Sequence, residues 1–244
     1  MIYHIEQTTS TNEDARRGEY THLDVVWAER QSAGRGQRGH SWHSLEGENI
    51  TFSVVLLPRF LPITEQFLLS EIVALALVDT LEEYGIECRI KWTNDIYVED
   101  SKIAGVLIEH SLSGNSLERT IVGIGLNVNQ AEFPADLPNP TSMRRVSGRM
   151  FDRGEVLERF MSHLKTLYDA LESGHKGDIE SRYTRTMYHL GERHTYALPS
   201  DEKFEATIRG VRPSGELILE HSDGTLHQYA FKEVEFVLRH KGNI

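Results

Sequence analysis

The chain has 244 residues, of which 37 are acidic and 26 are lysine or arginine, so its formal net charge is −11. This excess of negative charge argues against a broad nucleic-acid surface, because duplex binding usually needs a basic face. No apolar run approaches the roughly 20 residues that a membrane-spanning helix needs, and the amino terminus lacks the pattern of a secretory signal. A single cysteine, Cys88, fits a small buried side chain in a reducing compartment. We therefore expect a cytoplasmic protein without membrane contact.

The amino-terminal part of the chain predicts two strands around a short helix. Residues 2–6 alternate apolar and polar side chains, which is typical of a strand. A helix is expected over 10–17, because Ser10 and Glu13 have the spacing of a capping box. A second strand follows over 24–30.

A glycine-rich segment, 32–42, separates this strand from a third over 49–57. Its spacing is G-x-G-x-x-G, which in dinucleotide-binding folds follows a strand and opens a helix. No helical apolar period comes after the segment, so the dinucleotide interpretation is set aside. Three arginines and no acidic residue between 30 and 43 favour contact with a small polyanion such as a nucleotide phosphate, with a solvated surface loop as the alternative.

The middle of the chain predicts two helices with strands between them. Apolar residues every three or four positions indicate a helix over about 64–84, which a glycine ends. Strands over 88–92, 102–109 and 119–128 follow with short connections, and these favour an antiparallel or mixed sheet. A Pro-rich loop then leads to an amphipathic helix near 155–171.

The pattern changes after residue 190 to short strands separated by turn sequences. These strands are expected over 194–199, 203–212, 215–221 and 226–231. They predict a small all-β barrel attached to a larger α/β domain. The domain boundaries are therefore placed at 1–190 and 191–244.

Three further stretches carry candidate chemistry: K-W-T-N-D at 91–95, K-I-A-G-V-L-I-E at 102–109 and G-I-G-L-N at 123–127. Glycine weakens a strand unless something packs closely against it, so Gly123 and Gly125 predict such an approach. Each motif alone is weak, since a lysine at a strand end is more often a solvated charge and Asn-Asp more often a turn.

Together with the glycine-arginine segment and S-T-N at 10–12, these motifs resemble the biotin protein ligase family over nearly the whole chain. The resemblance implies an α/β (α+β) fold, with a catalytic domain of class II synthetase type, a mixed sheet flanked by helices, and a small SH3-like β-barrel after it. It implies the monofunctional type, because the first predicted strand begins at residue 2 and leaves no room for an amino-terminal helix-turn-helix domain. We accordingly expect no specific DNA binding.

The resemblance also implies a two-step, ATP-dependent reaction. Biotin is first activated to biotinyl-5′-AMP, and a lysine of an acceptor protein then becomes biotinylated. The substrates would be biotin and ATP with Mg²⁺, and the partner a biotin carboxyl carrier protein or domain of a carboxylase. Family members occur as monomers or weak homodimers.

By the same resemblance, the site residues form three groups. Catalysis is assigned to Lys102, Arg35 and Asp95, since two anions must meet in the first step and positive charge is needed there. Biotin contacts are assigned to Ser10, Thr11, Asn12, Gln31, Arg35, Gly36, Gln37, Lys102 and Gly105. ATP and adenylate contacts are assigned to Arg38, Trp42, Lys91, Asn94, Gly123, Gly125 and Asn127. No protein metal ligand is assigned, because no zinc spacing occurs and Mg²⁺ would be held largely by the phosphates.

The chain departs from the family pattern at Gln37, where many members have arginine, at His40, and at Thr93, where the usual residue is proline. Loss of a cation at Gln37 predicts a weaker hold on the adenylate. Two alternatives stay open: a lipoate–protein ligase, and a non-catalytic sensor of biotin or its adenylate. Retention of Lys102 argues against the sensor.

Overall fold

Two β-sheets and the helices that pack on them make up the structure, a computed structural model that describes residues 1–36, 42–114 and 116–237. The strands of the first sheet are β1 (Ile2–Thr8), β2 (Val25–Gln31), β3 (Ile50–Leu56), β4 (Arg89–Lys91), β5 (Asp95–Val98), β6 (Ser101–Ser113) and β7 (Ser116–Leu126). They lie in the order β1-β2-β3-β7-β6-β5-β4. β1 and β2 are parallel and the other neighbours are antiparallel, which confirms the mixed sheet.

Helices cover this sheet and supply much of the core. They are α1 (Thr11–Arg17), α2 (Phe67–Glu83), α3 (Met143–Ser147), α4 (Arg153–Glu172) and α5 (Lys176–Arg185). A one-sided apolar stripe is expected for α2, but this helix is buried on almost every side, because it contacts β4, β5, α4 and α5. The stripe expected on α4 is confirmed, with Val156, Phe160, Leu164 and Leu171 all buried.

The second sheet is antiparallel and follows the helices. Its strands are β8 (Arg193–Ala197), β9 (Lys203–Val211), β10 (Leu217–His221), β11 (Leu226–Tyr229) and β12 (Glu235–Phe236), in the order β11-β10-β9-β8-β12. In the residues described, no ladder joins β11 to β12, so closure into a barrel is not confirmed. The sheet is tied to the first one by a hydrogen bond of 2.9 Å from Trp92 Nε1 to the Gly215 carbonyl. The division of the chain into domains at residue 190 stays a prediction.

The capping box expected at the start of α1 is wrong. Ser10 is the N-cap residue, but its side chain makes no capping hydrogen bond. Ser10 instead lines a cavity of about 700 Å³, and the Glu13 carboxylate pairs with Arg35 at 2.7 Å. Both side chains that a capping box needs are thus used elsewhere.

Several short elements are absent from the sequence prediction, namely β5, α3, α5 and β12. They are short or, for α5, strongly polar, so their apolar periodicity is weak. Cys88 is buried as expected, and burial raises the pKa of its thiol to about 12. None of the helices formed by the described residues combines the length and apolarity that crossing a membrane requires.

Glu71 is a buried acid in the middle of α2, and it predicts an unusual pH dependence of stability. Burial, helped by the charge of Glu180, raises the pKa of its carboxyl to about 8. Between the ordinary pKa near 4.5 and pH 8, the unfolded chain ionises while the folded protein keeps Glu71 protonated. Rising pH therefore lowers the free energy of unfolding, by roughly 3 to 5 kcal/mol in total.

Glu71→Gln is expected to remove this loss. Urea denaturation at pH 5 should give similar free energies of unfolding for the variant and wild type, while at pH 9 the variant should be several kcal/mol more stable. Glu82→Gln, at an exposed position of the same helix, is the control and should follow wild type at both pH values. An equal pH dependence for Glu71→Gln and wild type would contradict the burial argument.

Candidate active site

A cavity of about 700 Å³ opens on one face of the first sheet. Its floor comes from β3, β6 and β7, and its walls from the start of α1, the end of β2, the Pro-rich loop and the second sheet. Most of the residues predicted for the site line it: Ser10, Thr11, Asn12, Gln31, Arg35, Gly36, Trp42, Lys91, Asp95, Lys102, Gly105, Gly123, Gly125 and Asn127. Residues from distant parts of the chain thus meet in one place.

Three of the predicted residues are not among these. Asn94 is buried and lines a neighbouring cavity of about 390 Å³ instead. Gln37 and Arg38 lie outside the described residues, as does His40. The predicted effect of Gln37 on the adenylate therefore stays a prediction.

Three glycines form the floor, and the space above them is filled by the side chains of Asn12, Trp42 and Lys102. A Cβ atom at Gly123 would lie 2.2 Å from Asn12 Oδ1, and one at Gly125 would lie 2.1 Å from Trp42 Cε2. A Cβ at Gly105, which is paired with Gly125 across the sheet, would lie 3.0 Å from Lys102 Cε. The close approach predicted for the glycines of β7 is confirmed.

The glycines also set the order of groups along the cavity. Gly123 and Gly125 are two residues apart on β7, so they share a face and lie about 7 Å apart. Asn12 packs over the first and Trp42 over the second. The cavity therefore has a polar end at Asn12 and an aromatic, charged region at Trp42 and Lys102.

Hydrogen bonds fix the side chains of the polar end. The Gln31 Oε1 atom accepts from the backbone N–H of Thr11 at 2.8 Å and lies 3.2 Å from Thr11 Oγ1. This leaves the Gln31 Nε2 group as a donor beside the cavity. Ser53 Oγ, which is fully buried, lies 2.8 Å from Thr11 Oγ1 and 2.6 Å from Asn12 Oδ1.

The charged region centres on an ion pair. Lys102 Nζ, on β6, donates to Asp95 Oδ2 on β5 at 2.7 Å. Both side chains keep about a quarter to a third of their surface exposed toward the cavity, at 31% and 26%. The ammonium also lies 5.9 Å from the centre of the Trp42 ring. A cation held in this way is available to an anion that enters the cavity.

Arg35 is engaged by carboxylates in this structure. Its Nη2 atom donates to Glu13 Oε1 at 2.7 Å and to Glu109 Oε2 at 3.4 Å. The side chain is 44% exposed at the cavity edge. Direct contact with a ligand phosphate would require exchange of these partners.

Asn127 also places a polar group at the cavity that a ligand could use. Its Nδ2 group donates to the Thr141 carbonyl at 2.9 Å. Its Oδ1 atom is buried and has no hydrogen-bond partner in the part of the chain that the structure describes. A buried acceptor without a partner is costly, so this carbonyl is suited to accept from a donor on a bound ligand.

Sequence reasoning missed two walls of the cavity. The Pro-rich loop contributes Phe133, Asp136, Leu137, Pro138, Asn139 and Pro140. The connection between β11 and β12 contributes Phe231 and Val234, and β12 contributes Glu235 and Phe236. Lys91 lies 5.0 Å from the ring centre of Phe236 and so links the two sheets at the cavity. No local signal marks these residues, because only the packing of the sheets brings them to the site.

Outside the cavity, His189, Glu192 and His194 form a group of possible metal ligands. A single oxygen, Glu192 Oε2, lies 2.8 Å from His189 Nδ1 and 3.0 Å from His194 Nε2. The two imidazoles are stacked, with ring centroids 3.5 Å apart and planes 25° apart. Hydrogen bonds to the carboxylate account for this cluster.

Comparison with known proteins agrees with the motifs. Residues 2–127 match the model of the biotin/lipoate A/B protein ligase family. The chain is 30% identical over 237 residues to the bifunctional ligase/repressor BirA of Bacillus subtilis, covering 94% of this chain and 72% of that protein. It is also 30% identical over 228 residues to the biotin–[acetyl-CoA-carboxylase] ligase of Paracoccus denitrificans, covering 88% and 92% of the two chains.

A solved structure has the same overall fold. The biotin protein ligase of Aquifex aeolicus, in complex with biotin and ATP, superposes with a TM-score of 0.84. The two proteins are 26% identical, and the match covers 98% of this chain and 99% of the other. The predicted fold class is thereby confirmed, apart from the closure of the second sheet.

Proposed function

The protein belongs to the biotin/lipoate A/B protein ligase family, and we propose that it is a biotin–protein ligase that uses ATP to attach biotin to a lysine of a carrier protein. The observation that supports this most directly is the order of groups in the cavity. A polar end with the Gln31 amide donor and the hydroxyls of Ser10 and Thr11 stands about 7 Å along β7 from a lysine and a tryptophan. One molecule with a polar ring and a carboxylate at opposite ends would fit such an arrangement.

In the first step, an oxygen of the biotin carboxylate attacks the α-phosphorus of ATP. A P–O bond forms, the bond to the pyrophosphate oxygen breaks, and biotinyl-5′-AMP and pyrophosphate result. Both reactants are anions, so the Lys102 ammonium lowers the barrier by lying near both. Asp95 holds Lys102 in place through the 2.7 Å bond, and Arg35 adds a guanidinium at the edge.

In the second step, the amine of an acceptor lysine attacks the acyl carbon of the adenylate. A C–N bond forms, the C–O bond to AMP breaks with its electron pair on the departing phosphate oxygen, and the proton lost by the amine passes to water. The mixed anhydride is prone to hydrolysis, so a site that keeps water away preserves it. We propose that Asp95 also orients the incoming amine.

The remaining assigned residues divide between the two substrates. Ser10, Thr11, Asn12 and Gln31 contact the biotin ring, with the backbone of Gly36 and Gly105 beside the chain. Trp42, Lys91 and Asn127 contact the nucleotide over the floor formed by Gly123 and Gly125. Asn94 lines the neighbouring cavity, and its contact with the nucleotide stays a proposal from the family resemblance.

Mg²⁺ prefers oxygen ligands, and the cavity carries the carboxylates of Asp95 and Asp136 besides the phosphates that ATP would bring. These residues fit a role in holding metal-bound water. When bound, the ion would neutralise charge on the phosphates.

The carrier is proposed to be the biotin carboxyl carrier protein or domain of a carboxylase. The Paracoccus relative is named for acetyl-CoA carboxylase. Absence of specific DNA binding stays a prediction, supported by the net charge of −11. A monomer or weak homodimer is likewise proposed from the family alone.

Incubation with ATP, Mg²⁺, biotin and a purified carrier domain tests the function. We expect a mass increase on the carrier that equals one biotinyl group and a signal on a streptavidin blot. A shift with lipoate in place of biotin would make the protein a lipoate ligase. Binding of biotin or biotinyl-AMP without transfer would make it a sensor.

A further inference from the structure

A carboxylate stands behind the polar end of the cavity without lining it. Glu109, on β6, accepts from Asn12 Nδ2 through Oε2 at 2.7 Å and pairs with Arg16 through Oε1 at 2.6 Å. Its side chain is 26% exposed, whereas Asn12 is only 3% exposed. The contact between them therefore lies largely away from water.

The charge of Glu109 fixes the direction of the next two hydrogen bonds. A carboxylate can only accept, so the amide nitrogen of Asn12 must face it, and the amide oxygen must face Ser53. Ser53 Oγ lies 2.6 Å from that oxygen and has one hydrogen, which it donates there. Ser53 therefore accepts from Thr11 across their 2.8 Å contact.

The opposite direction is excluded by distance. If the hydroxyl of Thr11 donated to Gln31 Oε1, 3.2 Å away, Ser53 would have to donate to Thr11. Asn12 Oδ1 and Ser53 Oγ would then face each other at 2.6 Å with no hydrogen between them. Two oxygens without a hydrogen between them repel far more at 2.6 Å than at 3.2 Å, which is the separation of Thr11 Oγ1 and Gln31 Oε1. The first direction is therefore favoured.

This direction decides what the cavity presents to a ligand. The hydrogen of Thr11 points toward Ser53, so Thr11 does not donate to a ligand and presents only lone pairs, which accept from a ligand N–H. Gln31 presents a donor, because its oxygen is bound to the Thr11 backbone. An acceptor beside a donor matches a cyclic urea, which has N–H and C=O groups, and does not match a dithiolane, which has neither.

We propose that Glu109 is a positioning residue that sets the hydrogen-bond direction of Asn12, Ser53 and Thr11 and thereby selects a ligand ring with N–H groups. This inference rests on the proposed function and adds the means by which one ring chemistry is chosen over another. Although burial alone would raise the pKa of Glu109, its bonds to Asn12 and Arg16 and the charge of Arg35 hold it below the ordinary value. The carboxylate is thus charged at neutral pH.

Glu109→Gln tests the proposal, because a neutral amide can donate as well as accept and no longer fixes the direction. The probes are biotin and an isosteric analogue in which oxygen replaces both ureido N–H groups. We expect the KM for biotin to rise about tenfold or more, while kcat and the KM for ATP stay within about twofold. The preference for biotin over the oxygen analogue should shrink at least tenfold.

This preference is the decisive readout, because a general loosening of the site would weaken both ligands equally. An unchanged ratio of the two KM values in Glu109→Gln would overturn the proposal. Ser53→Ala removes the middle hydroxyl from the hydrogen bonds that link Asn12 to Thr11, so it should also reduce the preference for biotin over the oxygen analogue. It replaces Glu109→Gln as the test variant if that protein does not fold. Glu118→Gln removes a charge from an exposed position of the neighbouring strand and should behave as wild type.

The wild-type assay keeps the two ideas apart. Wild type that transfers biotin while both variants keep the full preference leaves the proposed function standing and overturns the role of Glu109. Wild type that binds neither biotin nor its analogue overturns the proposed function, and the role of Glu109 with it.

Discussion

Lys102→Ala is expected to lower the rate of biotinyl-AMP formation roughly a thousandfold while the fold stays intact. The ammonium is the group on β6 that meets the cavity at its charged region, and the first step brings two anions together there. Its removal also leaves the Asp95 carboxylate, formerly bound at 2.7 Å, without its partner in the cavity. The rate of pyrophosphate release, measured with biotin and ATP but no carrier, reports this step alone.

Two further variants separate charge from shape. Lys102→Arg keeps a cation and should recover part of the activity. The double variant Lys102→Ala with Asp95→Asn removes the unpaired carboxylate and should exceed the single variant, because one source of repulsion is gone. Lys165→Ala, at an exposed position on α4, controls for lysine loss and should match wild type. Near wild-type rates for Lys102→Ala would reject its catalytic assignment.

Most of the residues that line the cavity were assigned from the family resemblance, and local patterns give a physical reason for some of them. Two of its floor glycines, Gly123 and Gly125, lie at alternate positions of β7, where an unusual residue in a β-branched run is visible without a structure. Asp95 is the first residue of β5 and Lys102 the second of β6, so each stands where a strand begins. Patterns this local identify a strand and its end, and the motifs then combine into one site.

Other parts of the site depend on tertiary placement, which local patterns do not contain. Phe231 and Phe236 reach the cavity only because the second sheet packs beside the K-W-T-N-D turn. Ser10 has the sequence of a helix cap, yet its side chain lines the cavity and makes no capping bond. Competition between a local and a tertiary role for the same side chain is decided by packing.

The position of Glu109 was visible in the sequence, but its partner in the structure was not. It belongs to K-I-A-G-V-L-I-E, where Gly105, Leu107 and Glu109 share one face of β6. A single carboxylate on the same face as a floor glycine is a signal that sequence reasoning had at hand. Its meaning depended on Asn12, 97 residues away in the chain, which only the structure brings to it.

Gly123→Ala and Gly125→Ala are expected to weaken the binding of different substrates, because different side chains lie over the two glycines. At Gly123 the new methyl would fall 2.2 Å from Asn12 Oδ1, and Asn12 is held on both sides by Glu109 and Ser53. When a side chain that positions a substrate is displaced by about 1 Å, the activity can fall roughly a hundredfold. We expect the affinity for biotin to fall by that factor, with the KM for ATP much less affected.

At Gly125 the new methyl would fall 2.1 Å from the indole of Trp42, which is assigned to the nucleotide. The KM for ATP should therefore rise more than the KM for biotin. Gly177→Ala, in α5 with no atom within 4 Å of its added methyl, is the matched control and should leave both unchanged. Titration calorimetry with biotin and steady-state kinetics with ATP measure the two effects separately. Equal losses for both substrates in both variants would contradict the division of the cavity into a biotin end and a nucleotide end.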